Sequence, residues 1–210
     1  MYQSIRKLAL VLLILGLLTG CAAAENLYAV EVDLTNQVTT VYRGEGREDG
    51  DIVRQMICST GRGGEDATPL GEFVMKQHYP EERGEWYWIK QYEVYVHYPT
   101  RFNGPIMFHS IPYAQKDEST IDEQALNELG QPTSHGCVRL RSEDAMWIAQ
   151  NCPDGTAVRV FEGEERDEFL RMALLRQTYS FEDWSSYADY RAAYAPGGLI
   201  TAVEQMLKEN

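Results

Sequence analysis

Cys137 and His135 stand two residues apart in the stretch Thr133-Ser134-His135-Gly136-Cys137-Val138-Arg139-Leu140, which gathers a thiol, an imidazole, a glycine and a guanidinium. A thiolate attacks carbonyl carbon strongly, but a free cysteine with a pKa of about 8.5 is only slightly ionised at neutral pH and needs a base or a positive field. Two histidines qualify. On extended backbone His135 would point the same way as Cys137; on a turn it would not, and hydrogen bonds could hold it inward. His109 ends the apolar run Ile106-Met107-Phe108, where a strand would deliver it to the edge of a sheet and leave it free to approach the thiol. His109 is therefore read as the base and His135 as a structural or oxyanion-side group. Gly136 permits an unusual turn and close approach by substrate, and amides here, that of Cys137 included, could bind a tetrahedral oxyanion. Arg139 could hold a substrate carboxylate in a bidentate grip, or pair with one of the chain's many acids.

The elements that must position these groups read mainly as strands. Tyr28, Val30 and Val32 alternate with Ala29, Glu31 and Asp33, and residues 38–42 follow Asn36-Gln37, which predicts a hairpin. Further apolar, aromatic or β-branched runs occur at 52–58, 72–78, 86–90, 92–98, 106–108 and 157–161. Thr68-Pro69-Leu70-Gly71 predicts a tight turn before the run at 72–78. The polar, acidic segment 111–133 is expected to form a lid or flap over the site, with a helix at 121–129. Ser142 is a candidate N-cap for a helix to about Asn151, with Glu143 and Asp144 in its first turn. Together these predict a mainly β sandwich with a short helix after the Cys137 stretch.

After Glu162 the pattern turns helical, with Phe169, Leu170, Ala173 and Leu174 at helical spacing, then Trp184, Tyr187, Tyr190 and Tyr194, and a break at Pro196-Gly197-Gly198. Residues 163–210 are thus expected to be a helical appendage whose aromatic stripe packs a core more readily than it stacks on sugars.

At the N-terminus Arg6 and Lys7 precede an apolar run at 8–18 that is too short to span a bilayer comfortably, so residues 1–24 read as a signal peptide. Leu18-Thr19-Gly20-Cys21 resembles the lipobox of bacterial lipoproteins, which would make Cys21 a lipidated N-terminus. Ala22-Ala23-Ala24 offers ordinary signal cleavage instead. Either route places the mature protein outside the cytoplasm, where Cys58 and Cys152 could pair as a disulfide or remain separate buried thiols. The formal net charge of −13 argues against nucleic acid as a partner. No C-x-x-C pair exists and His78, His97, His109 and His135 lack i, i+4 spacing, so no structural zinc site is expected.

His109-Ser110, the block Ser134-His135-Gly136-Cys137-Val138-Arg139 and the upstream Thr68-Pro69-Leu70-Gly71 resemble the L,D-transpeptidase catalytic domain (YkuD type) of bacterial cell-wall enzymes. The resemblance covers residues 27–161, within a catalytic domain placed at 25–162, and leaves out the helical tail. It implies a β-sandwich, no cofactor, and a cysteine acylated by a peptidoglycan stem peptide between an L-centred third residue and D-alanine. It also implies that the histidine matching His109 is the base, oriented by the backbone carbonyl of the residue matching Ser110, with Ser134 in an orienting place. An amine acceptor would make the protein a transpeptidase, and water would make it an L,D-carboxypeptidase. A non-catalytic wall-binding lipoprotein using the tyrosine-rich tail is the rival, against which the intact Cys137, His109 and His135 argue. One departure stands out: the segment between Ser110 and Thr133 is longer than the family usually has; Arg139, where an asparagine is often found, is a common alternative in the family.

Overall fold

A computed structural model describes residues 27–44, 46, 51–76 and 85–176. The predicted signal peptide with Cys21, the aromatic stripe at 184–194 and the final helix lie outside the described residues.

The hairpin read at the start forms as β1 (Tyr28–Asp33) and β2 (Val38–Arg43), paired antiparallel with Asp33 opposite Val38. Its turn closes because Asp33 Oδ1 accepts the amides of Thr35 and Asn36, while Gln37 takes a left-handed φ of 54°. β3 (Ile52–Ile57) extends the sheet beyond β2, and β10 (Ala157–Phe161) lies parallel to β1 on its other side. β4 (Gly71–Val74) completes a five-stranded sheet of order β3-β2-β1-β10-β4. A second sheet of order β7-β8-β9 is built from β7 (Thr100–Asn103), β8 (Ile106–Ser110) and β9 (Val138–Leu140), with β8 and β9 parallel. β5 (Trp86–Ile89) and β6 (Val94–His97) make a separate hairpin.

The period-2 alternation explains the layering. Val30 and Val32 of β1, Val158 and Val160 of β10 and Met56 of β3 meet Phe108 of β8 and Val138 and Leu140 of β9 in one buried core. Each such side chain contributes about 1.5–3 kcal/mol by leaving water. Helix α2 (Ser142–Asn151), which follows the α1 turn at Glu123–Asn127, joins this core through Ala145 and Ile148. The mainly β sandwich predicted from sequence is the fold observed.

A second cluster gathers Val38 and Ile57 from the large sheet, Ile111, Ala125 and Leu129 from the 111–133 segment, and Leu174 of α3 (Glu168–Arg176). Two arginines fasten α3 to the sandwich. The buried Arg171 donates to the carbonyls of Asn36 and Gly130, and Arg141 donates to those of Leu174 and Leu175 at the helix's C-terminal end.

Several local expectations change. Residues 68–71 form no turn; the reversal falls earlier, where Asp66 and Ala67 donate to Gly63 and Gly64, because the Thr68 side chain is held elsewhere. The helix predicted at 121–129 is only Glu123–Asn127, capped by Asp122, whose side chain accepts the Ala125 amide. Helix α2 has Arg141 rather than Ser142 at its N-cap, since the Ser142 hydroxyl is hydrogen-bonded to Tyr113. β7 and the three-residue β9 had no clear sequence pattern.

Candidate active site

β8 carries His109 as its fourth residue rather than at an open end, and the parallel register sets His109 opposite Arg139 on β9. Phe108 and Val138 point into the core, so His109 and Arg139 face the other side of the sheet. Cys137 lies immediately before β9. Its Sγ is 3.8 Å from the Pro105 carbonyl, and the Met107 backbone, two residues before His109, favours its anionic form by a hydrogen bond. The β8–β9 ladder therefore gathers Cys137, His109 and Arg139 from two segments about thirty residues apart in sequence.

His109 is 2% exposed, and its Nδ1 lies 2.6 Å from the Ser110 carbonyl oxygen. A carbonyl can only accept, so Nδ1 carries the proton and Nε2 is left with a lone pair. Burial, helped by the Arg139 charge, pushes the imidazole down to about 3, against the pull of the Ser110 hydrogen bond. The ring is neutral at physiological pH. Burial raises the Cys137 thiol above its ordinary value, while the Met107 backbone, Arg139 and Arg101 oppose that rise. The site thus offers a neutral imidazole with an open Nε2 and a protonated thiol, the two states that general-base activation of a nucleophile starts from.

The Ser110 side chain is fixed as well: its hydroxyl accepts the His97 amide and donates to the Ile111 carbonyl. Ser134 shapes the turn before the thiol, donating from Oγ to the Cys137 carbonyl at 2.6 Å and accepting the Gly136 amide at 3.1 Å. Gly136 has φ +110°, and an added Cβ would lie 2.8 Å from Ile106 Cδ1. The left-handed φ requires glycine here, whereas the Ile106 tip could shift. Its amide is committed to Ser134, which leaves Cys137 as the oxyanion donor to consider within this turn.

Thr68 explains why a Thr-Pro-x-Gly stretch accompanies the cysteine block. Its Oγ1 accepts the Gly61 amide and donates to the Gly136 carbonyl, both at 2.8 Å. The same loop pairs Ser59 with Arg139 and accepts the Ser134 amide at the Thr60 carbonyl, and buried Gln37 ties Thr60 to the β1–β2 turn. The site's backbone is thus clamped from the large sheet.

His135 stacks on Tyr92 from the β5–β6 turn, with centroids 4.4 Å apart and planes 22° from parallel. Tyr92 had no sequence signal beyond its aromatic neighbours. Arg139 is half-buried and its guanidinium forms no ion pair with any of the described acids. Burial lowers its pKa, while Asp122, the Cys137 thiolate and Glu128 oppose that effect. The 111–133 segment and the β5–β6 turn both border the site.

Cys58, Cys137 and Cys152 are all free thiols, so the disulfide considered for Cys58 and Cys152 does not form. Burial pushes each of the two core thiols up to about 12, which leaves them unreactive.

Comparisons with known proteins bear on the family and the fold of the chain. The chain is 35% identical over 116 residues to YciB of Bacillus subtilis (strain 168), which carries the name of a candidate L,D-transpeptidase; the match covers 53% of this chain and 57% of that protein, so the chain spans little more than half of its relative. Among solved structures, LD transpeptidase LdtMt1 in complex with imipenem superposes with a TM-score of 0.50 at 19% identity, over 64% of this chain and 59% of that one, a likeness of fold. An L,D-transpeptidase from Stackebrandtia nassauensis is 27% identical with a TM-score of 0.48, over 69% of this chain and 60% of its own. The model of the YkuD family, described as the L,D-transpeptidase catalytic domain, matches residues 27–160, and the chain belongs to that family.

Proposed function

We propose that this chain is an extracytoplasmic peptidoglycan L,D-transpeptidase with Cys137 as nucleophile and His109 as base. The observation that supports it most directly is the His109 tautomer: Ser110 holds the proton on Nδ1 and leaves Nε2 to accept one.

In this reading Nε2 takes the thiol proton as Sγ attacks the carbonyl joining the third stem residue to D-alanine. The oxyanion is received by the Cys137 amide. Collapse breaks the C–N bond, the departing amine of D-alanine takes the proton from His109, and a thioester on Cys137 remains. An amine on a second stem then attacks the thioester, passes its proton to His109 and restores the thiol, leaving a new amide. Water in place of the amine gives L,D-carboxypeptidase activity with the same residues. Arg139, charged and without an ion-pair partner among the described residues, holds the carboxylate of the terminal D-alanine. The Leu18-Thr19-Gly20-Cys21 stretch would anchor the protein to a membrane on its extracytoplasmic side through a lipid on Cys21.

The test is incubation of the full-length protein with a disaccharide tetrapeptide, with products read by mass. Cross-linked dimer and released D-alanine are expected; tripeptide alone would assign hydrolysis. Turnover retained in a Cys137→Ala variant would overturn the nucleophile.

A further inference from the structure

On the far side of Ser110 from the catalytic imidazole stands a second buried histidine, His97, 1% exposed at the end of β6. Its Nδ1 lies 2.9 Å from the Glu85 backbone carbonyl, an oxygen that can only accept, so Nδ1–H donates and the lone pair is on Nε2. Trp86 packs on the ring with centroids 3.7 Å apart, and Tyr98 and Tyr113 flank it, so the direction of that lone pair is fixed. Nε2 has no hydrogen-bond partner among the described residues, yet Glu118 Oε1 sits 2.9 Å away, off the line of a hydrogen bond. The Glu85 carboxylate completes a group of three in which all donor atoms lie within 4.8 Å of one another.

A lone pair and two carboxylates facing one point repel each other unless a positive charge lies between them. A proton on Nε2 would serve one carboxylate through a straight hydrogen bond, which the geometry does not provide. A cation serves all three. Two ligands each about 2.1 Å from one ion stand about 3–3.4 Å apart, close to the Nε2 to Oε1 separation found here. The Nδ1–H bond to a backbone carbonyl is the outer-shell contact that commonly fixes a metal-binding imidazole. Glu85 and Glu118 are exposed, so their carboxylates can adjust around an ion and leave room for water.

We infer that His97, Glu85 and Glu118 form a divalent-cation site, suited by its one nitrogen and two carboxylates to zinc or a similar first-row ion. The site joins the 111–133 segment, through Glu118, to the β5–β6 hairpin. It also lies directly behind the base: the His97 amide donates to Ser110 Oγ, and the Ser110 carbonyl holds His109. An ion here braces the hairpin and the strand that carries the imidazole. The three residues are scattered along the chain, and no short ligand spacing announces them.

The experiment is calorimetric titration of the full-length protein with Zn2+, in a Cys137→Ala background so that the reactive thiol cannot compete, alongside Co2+ titration followed by visible absorption. One ion per chain is expected, with a Co2+ d–d band and no sulfur charge-transfer band. The Glu85→Gln/Glu118→Gln double variant, which changes only exposed side chains, is expected to weaken Zn2+ by at least about tenfold. No saturable binding, or unchanged affinity in the double variant, overturns the site.

Discussion

His109 donates from Nδ1 to the carbonyl of its neighbour Ser110 at 2.6 Å, and that contact decides which ring nitrogen is open to chemistry. Because it lies within one strand, the His109 ring is oriented by its own backbone. The ring's burial lowers its pKa to about 3, and burial raises Cys137.

These directions set a pH dependence. A raised thiol pKa means that Cys137 stays protonated until the pH exceeds the ordinary thiol range, and a depressed imidazole stays neutral down to strongly acidic pH. Alkylation by iodoacetamide, followed by intact mass, should therefore climb steadily with pH and show no plateau between about pH 5 and 8, where a thiolate–imidazolium pair would be saturated. Such a plateau would overturn the neutral pair. Cys58 and Cys152, pushed up to about 12 and buried, should remain unlabelled in the folded protein.

Thr68 gives a second prediction, since one hydroxyl serves both Gly61 and Gly136. Thr68→Val keeps the shape and leaves an amide and a carbonyl unpaired, each costing about 1–3 kcal/mol where buried. Urea unfolding should register that loss, and acylation of Cys137 should slow because the Gly136 turn is no longer held. Thr68→Ser should restore both. A valine variant as stable and as reactive as the parent would remove Thr68 from the clamp.

Much of this was legible in the sequence because it rests on local pattern. Alternation in 28–33 and 38–42 located the first hairpin, and the run ending at His109 located the strand that carries that histidine. What was not legible depends on distant pairing. β9 is three residues long and exists because β8 and Ser59 both pair with it. The turn expected at 68–71 is absent because Thr68 is drawn to Gly136, a contact across the fold. The 163–176 stretch reads as amphipathic, but Arg171 and its two carbonyl partners, which seat α3 on the sandwich, could not be paired from sequence.

Arg54 and Asp144 are 1% and 0% exposed and form an ion pair beneath Trp147, whose ring the guanidinium carbon approaches to 5.5 Å. Asp144 was read as a helix-dipole acid in the first turn of α2; its position shows that it also joins the helix to β3. Asp144→Ala should destabilise the fold by about 3–5 kcal/mol, since it removes the carboxylate that faces the buried Arg54 guanidinium. An Arg54→Met/Asp144→Leu pair should cost far less than the two single changes added together. Additive costs in a denaturant double-mutant cycle would show that the pair is not coupled.

The stacking of Tyr92 on His135 is the last relationship open to test. Tyr92 is 38% exposed at the β5–β6 turn, so it contributes little to the core. What it does is press the hairpin tip against His135, two residues before Cys137, with the rings 4.4 Å apart. Burial raises the Tyr92 phenol first, and Asp66 and the Cys137 thiolate raise it further, so the ring lies within the field of the reactive sulfur. An aromatic pair contributes about 0.5–1.5 kcal/mol beyond its buried area. Tyr92→Ala should then lower the second-order rate of Cys137 acylation by imipenem by about 2- to 13-fold, with the midpoint of thermal unfolding little changed. Tyr92→Phe keeps the ring and should react at the parent rate. If phenylalanine is as slow as alanine, the hydroxyl and not the stacked ring is what the site uses; if alanine reacts at full speed, the hairpin tip plays no part in holding His135 for the reaction.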